Sequence, residues 1–274
     1  MGAGRAIDHV VLAVRDLGRA ASTYERLGFT LTPRAMHEDR MGTSNRLAQF
    51  SGRNFIELLE VDRPDKLRPH DLGGNPPFFS FGGHNRSAVA EREGLSMLVF
   101  ASDDARTDLA RYEAAGLRAA PFDFERQAVL PDGSKATVSF SLAFAWSPDM
   151  PKIGFFSCQN RAQQYFWKPQ YQTHANGARS IAAAYLASPA PERDARFIGS
   201  MFGADLSPVA DGWRVSAGTA QEVLVLTPEA IARRDRSFGT ADEPRLAGIR
   251  LAGDERKTTP ASAAHGMFIE WGGR

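Results

Sequence analysis

Residues 7–15 read IDHVVLAVR, a run of β-branched and apolar residues that has the composition of a buried strand. Asp16 follows in position to cap a helix. In 17–27, LGRAASTYERL, the residues Leu17, Ala20, Ala21, Tyr24 and Leu27 fall on one helical face. Gly28 closes that helix as a C′ glycine. Strand-like segments then occur at 29–33, 45–51 and 54–61, the last of them NFIELLEV. The order is β-α-β-β-β.

The same grammar returns downstream, and a repeat has to be recognised before anything else about the fold is read. GLSMLVFASDD, 94–104, is a strand running into Asp103 or Asp104 as a cap, and ARTDLARYEAAGL is a helix closing on Gly116. Asp16 to Gly28 spans twelve residues and Asp103 to Gly116 thirteen, so the two units keep nearly the same length. Strands are expected around 122–130, 135–146 and 152–159, with Pro131-Asp132-Gly133 as a turn between the first two. A third copy is read at 179–227. Its strand is RSIAAAYLAS, its helix is PAPERDARFIGSMFG with proline near the start, and its hairpin strands are DGWRVSAGT and QEVLVLTP. A shortened fourth copy is read from 244 to 274, where FIEW at 268–271 echoes FIEL at 55–58. The expected organisation is α+β: paired βαβββ modules within 1–165 (6–62 and 95–160), and a second region at 175–274 made of one module and a shortened one.

Composition narrows the function classes. The chain has 274 residues, 43% of them hydrophobic and 24% charged, which suits a globular protein with a substantial core. With 33 basic and 32 acidic side chains the net charge is +1, giving no electrostatic argument for nucleic acid or an anionic membrane as partner. A single cysteine, Cys158, excludes an intramolecular disulfide and a cysteine-rich zinc site, and fits a reducing compartment. The N-terminal apolar run is short and bracketed by Asp8 and Arg15, unlike a signal peptide, and no stretch approaches the ~18 apolar residues of a membrane span. The expectation is a cytoplasmic protein with a small-molecule ligand.

IDHVVLAVRDL, TYERLGFTL, and NRLAQF followed by FIELLEV resemble the opening module of glyoxalase-like proteins. These belong to the vicinal-oxygen-chelate superfamily, which includes glyoxalase I, extradiol dioxygenases and bleomycin-resistance proteins. The likeness is strongest over 6–62, recognisable at 95–160 and in HANGA at 174–178, and weak beyond about 200. It implies modules that pair into curved mixed sheets around a cup, with metal ligands on their first and last strands. One fold hosts many chemistries, so it does not select a reaction.

His9 and Glu57 stand on the first and last strands of module one. A buried imidazole and carboxylate on neighbouring strands are costly unless paired or metal-bound. They read either as a His–Glu hydrogen bond or, with the resemblance, as ligands of one divalent ion such as Zn, Ni, Mn or Fe. Glu57 is then a ligand or a proton-transfer base. Aligning Asp16 with Asp103 puts Ser96 opposite His9, so the second module lacks the expected histidine. In its last strand, IGFFSCQN, Gln159 is the conventional oxygen ligand. Three arrangements follow: His9, Glu57 and Gln159 with water; His174 swinging back from YQTHANGAR as a ligand; or a cup that has lost its metal. Trp167, in the aromatic run YFWKPQY, and His174 are candidate lid and substrate-binding residues. Asn45, Arg46 and Ser96 are further candidate substrate-binding residues; Asn45 and Arg46 enter a strand, and Arg46 is a candidate bidentate carboxylate holder or a surface arginine. His37, His70, His84 and His265 read as solvated loop residues, and 70–85 as a Gly/Pro-rich connector. The resulting expectation is a metal-assisted lyase or dioxygenase acting on a small vicinal-oxygen substrate, against a metal-free sequestering protein of the bleomycin-resistance type. A homodimer is also expected, since superfamily members often pair modules between chains.

Overall fold

The computed structural model describes residues 4–129, 135–239 and 241–273. The expected turn at Pro131-Asp132-Gly133 lies outside them. The first module runs β1 (Ile7–Val14), α1 (Leu17–Arg26), β2 (Ala35–Met36), β3 (Ser44–Gln49) and β4 (Phe55–Glu60). Asp16 caps α1 by accepting from Arg19 N at 2.9 Å. The strand expected at 29–33 does not form; the edge strand is instead the two-residue β2, paired through Ala35 and Asn45. Phe29 and Leu31 point into the core from irregular backbone, where burial rather than ladder pairing holds them.

Residues 70–85 are not merely a connector. Helix α2 (Phe81–Glu91) begins inside them, capped by Ser80, whose hydroxyl accepts from Gly83 N at 3.1 Å. Gly82 is required there because a Cβ would sit 2.0 Å from the Met41 carbonyl oxygen. Two glycines in the first turn hid the helix from propensity.

The second module comprises β5 (Gly94–Ala101), α3 (Ala105–Ala114), β6 (Arg118–Val129), β7 (Lys135–Trp146) and β8 (Gly154–Asn160). Asp104, not Asp103, caps α3, and β1 pairs antiparallel with β5 to join the modules. The eight-stranded order is β2-β3-β4-β1-β5-β8-β7-β6, with the two first strands side by side at the centre. After a short helix α4 (Gln163–Phe166), the third module follows as β9 (Ser180–Ala187), α5 (Pro191–Phe202), β10 (Leu206–Val209), β11 (Gly212–Ala217) and β12 (Gln221–Leu226). Helix α6 (Pro228–Arg234) leads to the shortened module, β13 (Arg245–Thr259) and β14 (Phe268–Gly273). The second sheet has the order β10-β11-β12-β9-β13-β14. The echo of FIEL in FIEW is one of position: Val11 pairs with Glu57 and Arg250 with Glu270, both in parallel first-to-last strand ladders.

One apolar core joins the two sheets. It takes Leu17, Ala20 and Tyr24 from α1, Tyr112 from α3, and Ile198, Met201 and Phe202 from α5, against strand residues of both sheets. Phe100 and Phe202 meet at 3.7 Å between ring centroids. Each such burial is worth about 1.5–3 kcal/mol. Asn54 fastens the sheets by accepting from Ile181 N and donating to Ile181 O, at 2.9 and 3.0 Å. The faces turned away from this core differ. In the second sheet Tyr185 and Phe268 are covered by Ile231 of α6 and by Phe238. In the first sheet the corresponding face lines a cavity.

Candidate active site

Alternation along the strands builds this cavity. His9 and Val11 on β1, Phe55 and Glu57 on β4, Val99 on β5, and Phe156 and Cys158 on β8 share one face, opposite Val10, Ile56, Leu98 and Phe155 in the joint core. The enclosed space is about 270 Å³. Phe124, Phe140 and Phe166 add aromatic walls, and Trp167 lies at its rim with the Arg53 guanidinium 5.5 Å from its ring.

Glu57 is the centre of the polar floor and is only 4% exposed. Asn45 donates to its Oε1 at 2.6 Å, and His9 Nε2 and His37 Nε2 each stand 3.6 Å from one of its oxygens. Both imidazoles are held from behind. His9 Nδ1 donates to Asp8 Oδ1 at 2.6 Å, and the ring stacks on Phe55 at 4.3 Å. The Asn45 amide also donates to His37 Nε2 at 3.2 Å, so the His37 proton sits on Nδ1 and donates to Thr43 Oγ1 at 2.8 Å. The Asn45 carbonyl oxygen is buried without a partner among the described residues. Burial pushes the Glu57 carboxyl up, against the opposing pull of His9 and the Asn45 hydrogen bond. Burial, reinforced by Arg126 and Arg63, holds His37 down to about 3, so its ring is neutral. Arg126, itself pushed down by burial, faces the cavity and acts electrostatically on Glu57.

The sequence-derived candidates therefore divide. His9, Glu57, Asn45 and Trp167 line the cavity. Gln159, Ser96, Arg46 and His174 do not. Gln159 lies on the opposite face of β8, donating to Asp103 O at 2.6 Å and accepting from Ala105 N, where it secures the start of α3. Ser96 lies under α2, donating to Asn85 Oδ1 at 2.6 Å. Arg46 points outward, donating to Thr32 O at 2.8 Å and pairing with Glu25 at 3.0 Å. His174 is buried between Phe29 and Phe50. It accepts from Thr30 N at Nδ1 (3.0 Å) and donates to Gln49 O from Nε2 (2.7 Å), a neutral tautomer that fastens the linker.

Two cavity residues were missed. His37, read as solvated, has a side chain only 7% exposed. Arg126 had a signal: Phe122, Phe124 and Arg126 alternate on β6, so the two phenylalanines carry the arginine inward. His84 and His265 are likewise buried or nearly so, whereas His70 is exposed as expected. Burial holds His84 down to about 4 and pulls His174 below its ordinary range. Buried neutral histidines must charge in the unfolded chain first. Their contribution is complete above about pH 6.5 and is lost as pH falls from there toward the folded values of about 3 and 4 for His37 and His84. The thermal midpoint should fall between pH 6.5 and 5, and H174A should lower the midpoint at pH 7. A midpoint unchanged by both would refute these placements.

A model of the glyoxalase-like domain matches residues 7–201, from the first residue of β1 almost to the end of α5. The chain belongs to the glyoxalase-like domain family. A comparison with curated proteins finds no match. Among solved structures, a hypothetical protein from Staphylococcus aureus superposes over 97% of this chain and 98% of its own, with 14% identity and a TM-score of 0.71. A triple mutant of 4-hydroxymandelate synthase from Streptomyces coelicolor matches over 92% of this chain and 72% of its own, at 13% identity and a TM-score of 0.52. These likenesses show the vicinal-oxygen-chelate fold.

A metal implied by this fold would take its donors from the first and last strands of the two modules. His9 lies seven residues before the α1 cap Asp16; Met97 lies seven before the α3 cap Asp104. Glu57 pairs with Val11, two residues after His9, and Phe156 pairs with Val99, two after Met97. The second module thus places a thioether and a phenyl ring where the first has imidazole and carboxylate. Ser96 is not the counterpart of His9; taking Asp103 as the cap shifted the register by one residue, which exchanges the faces. With Gln159 also turned away, the ligand set His9, Glu57 and Gln159 does not converge. Among the described residues no group of three or more His, Cys, Asp or Glu side chains is arranged to hold a metal ion. The donors do not fit the implied ion. No helix among the described residues is long and apolar enough to cross a membrane.

Proposed function

We propose that the cavity abstracts a proton from the carbon beside a carbonyl of a small, partly apolar anion. The observation that carries this reading is Glu57: a buried carboxylate, raised in pKa, at the floor of an aromatic chamber that also holds Arg126. A carboxylate tuned upward is a stronger base than one in water. Asn45 orients it, and the backing of His9 by Asp8 and of His37 by Thr43 fixes the rings on either side. In the proposed step Glu57 takes the proton and the electron pair of the broken C–H bond moves onto the carbonyl as an enolate. Returning the proton to carbon completes an isomerisation or epimerisation. Arg126 holds the substrate's carboxylate, while Phe55, Phe124 and Phe140 enclose its apolar part.

The test is exchange of the substrate's α-proton in D₂O, followed by NMR over a panel of small 2-substituted carbonyl acids. Exchange that is retained after chelator dialysis supports the proposal; exchange that disappears with the chelator overturns it. R126Q removes a charge-assisted contact and should weaken binding of the exchanging acid about tenfold or more. Unchanged affinity would remove Arg126 from the role.

Phe156, backed by the buried Met97, favours a second reading, sequestration without turnover, because it gives the second module an apolar wall instead of chemistry. Tight binding of a partly aromatic acid with no exchange selects that reading.

A further inference from the structure

We propose that a second site, in the crevice between the two sheets and lined by Arg15, Arg92, Arg245, Ser262 and His265, binds a small phosphate-bearing anion. The crevice encloses about 360 Å³, and none of its lining residues lines the aromatic cavity. It lies where the residues just after α2 meet the start of β13 and the loop before β14.

The Arg245 guanidinium lies 3.5 Å from the centre of the Phe238 ring and donates from one terminal nitrogen to the Phe238 carbonyl, which fixes it in place. Its Nε is buried with no hydrogen-bond acceptor among the described residues. Arg92 is near enough to repel it: burial first, then Arg92, pushes Arg245 down to about 10. Burial also pushes Arg92 down, against the opposing pull of Glu91. The carboxylates that border the crevice are already engaged. Glu93 accepts from Arg15 N and from His265 Nδ1, both at 2.8 Å, and Glu91 pairs with Lys152 at 3.1 Å. Neither Arg92 nor Arg245 has a carboxylate within ion-pair distance among the described residues.

Two neighbouring, partly buried guanidiniums with no carboxylate in direct ion-pair contact are costly. In a chain of net charge +1 the pair does not reflect general basicity. Planar forks of this kind suit tetrahedral oxyanions, which accept several charge-assisted hydrogen bonds at once. The neighbouring His265 is held at a φ of 54°, uncommon for a residue with a side chain.

The experiment is isothermal titration of the full chain with inorganic phosphate and, in a second arm, with glycerol 3-phosphate, at fixed ionic strength set by chloride. Saturable binding of either anion supports the site, and the tighter of the two identifies free phosphate or a phosphate monoester as the source. R92Q and R245Q should each weaken that binding tenfold or more, while R126Q in the aromatic cavity leaves it unchanged. Should R245Q melt before it can be titrated, R92Q carries the comparison. No saturable heat with either anion overturns the proposal. So does affinity that survives both crevice variants, or that is lost in R126Q, since either would put the anion elsewhere.

Discussion

Replacing Glu57 with glutamine should abolish α-proton exchange while sparing the fold and the binding of the substrate. General-base catalysis by a placed carboxylate is worth about 10²–10⁴-fold, so E57Q should lose at least a hundredfold in exchange rate. Glutamine keeps the shape and an oxygen that still accepts from the Asn45 amide, so the position of β3 against β4 should persist. Burial disfavours the charged form of Glu57, hence the neutral variant should melt at the same temperature as the parent or higher at pH 7. The parent's rate should have an acid limb. A base whose folded pKa is raised is protonated, and idle, at a higher pH than an ordinary carboxyl near 4.3. The limb should be absent from the residual rate of E57Q. An E57Q protein that exchanges at the parental rate would remove Glu57 from the chemistry, whatever its stability.

The module order was legible because strand period, helix period and capping residues agree in each copy. Gly28 and Gly116 close their helices with φ of 86° and 74°, conformations that glycine adopts without strain. His9 and Glu57 were legible for the same reason: each interrupts a run whose alternation fixes a face. The partners around them were harder to read. His37 directly follows the two-residue strand β2, which is too short for any period to be visible. Met97 and Phe156 were obscured by a single choice between adjacent aspartates, since one residue of slip turns a strand's inward set outward. His174 showed turn chemistry around it correctly, but nothing local reveals that both ring nitrogens find backbone partners distant in sequence.

A further regularity in the sequence links modules two and three. Residues 101–108 read ASDDARTD and residues 187–194 read ASPAPERD, so Ala-Ser and an aspartate recur at the same spacing in modules two and three. The structure gives the reason: Ser102 donates to Asp108 at 2.5 Å and Ser188 to Asp194 at 2.6 Å, each tying the end of a first strand to the first turn of the helix that follows. Asp108 and Asp194 are both fully buried, and acidic groups in a first helical turn also face the positive end of the helix dipole. Asp108 carries more. It accepts from Arg5 at 2.5 Å and from Arg111, so β1's approach, β5 and α3 converge on one carboxylate. D108A leaves the Ser102 hydroxyl and the largely buried Arg5 guanidinium without their acceptor. Removing one partner of a buried charge network costs about 3–5 kcal/mol, which for a chain of this size is roughly 6–20 °C in thermal midpoint. S102A, which deletes a single hydrogen bond to a charged group, should cost about half as much or less. D194A should fall between them, because among the described residues Asp194 keeps only Ser188 and the half-exposed Arg193 as side-chain donors. A D108A midpoint within a few degrees of the parent would mean that the repeated serine–aspartate pair shapes the junction without stabilising it.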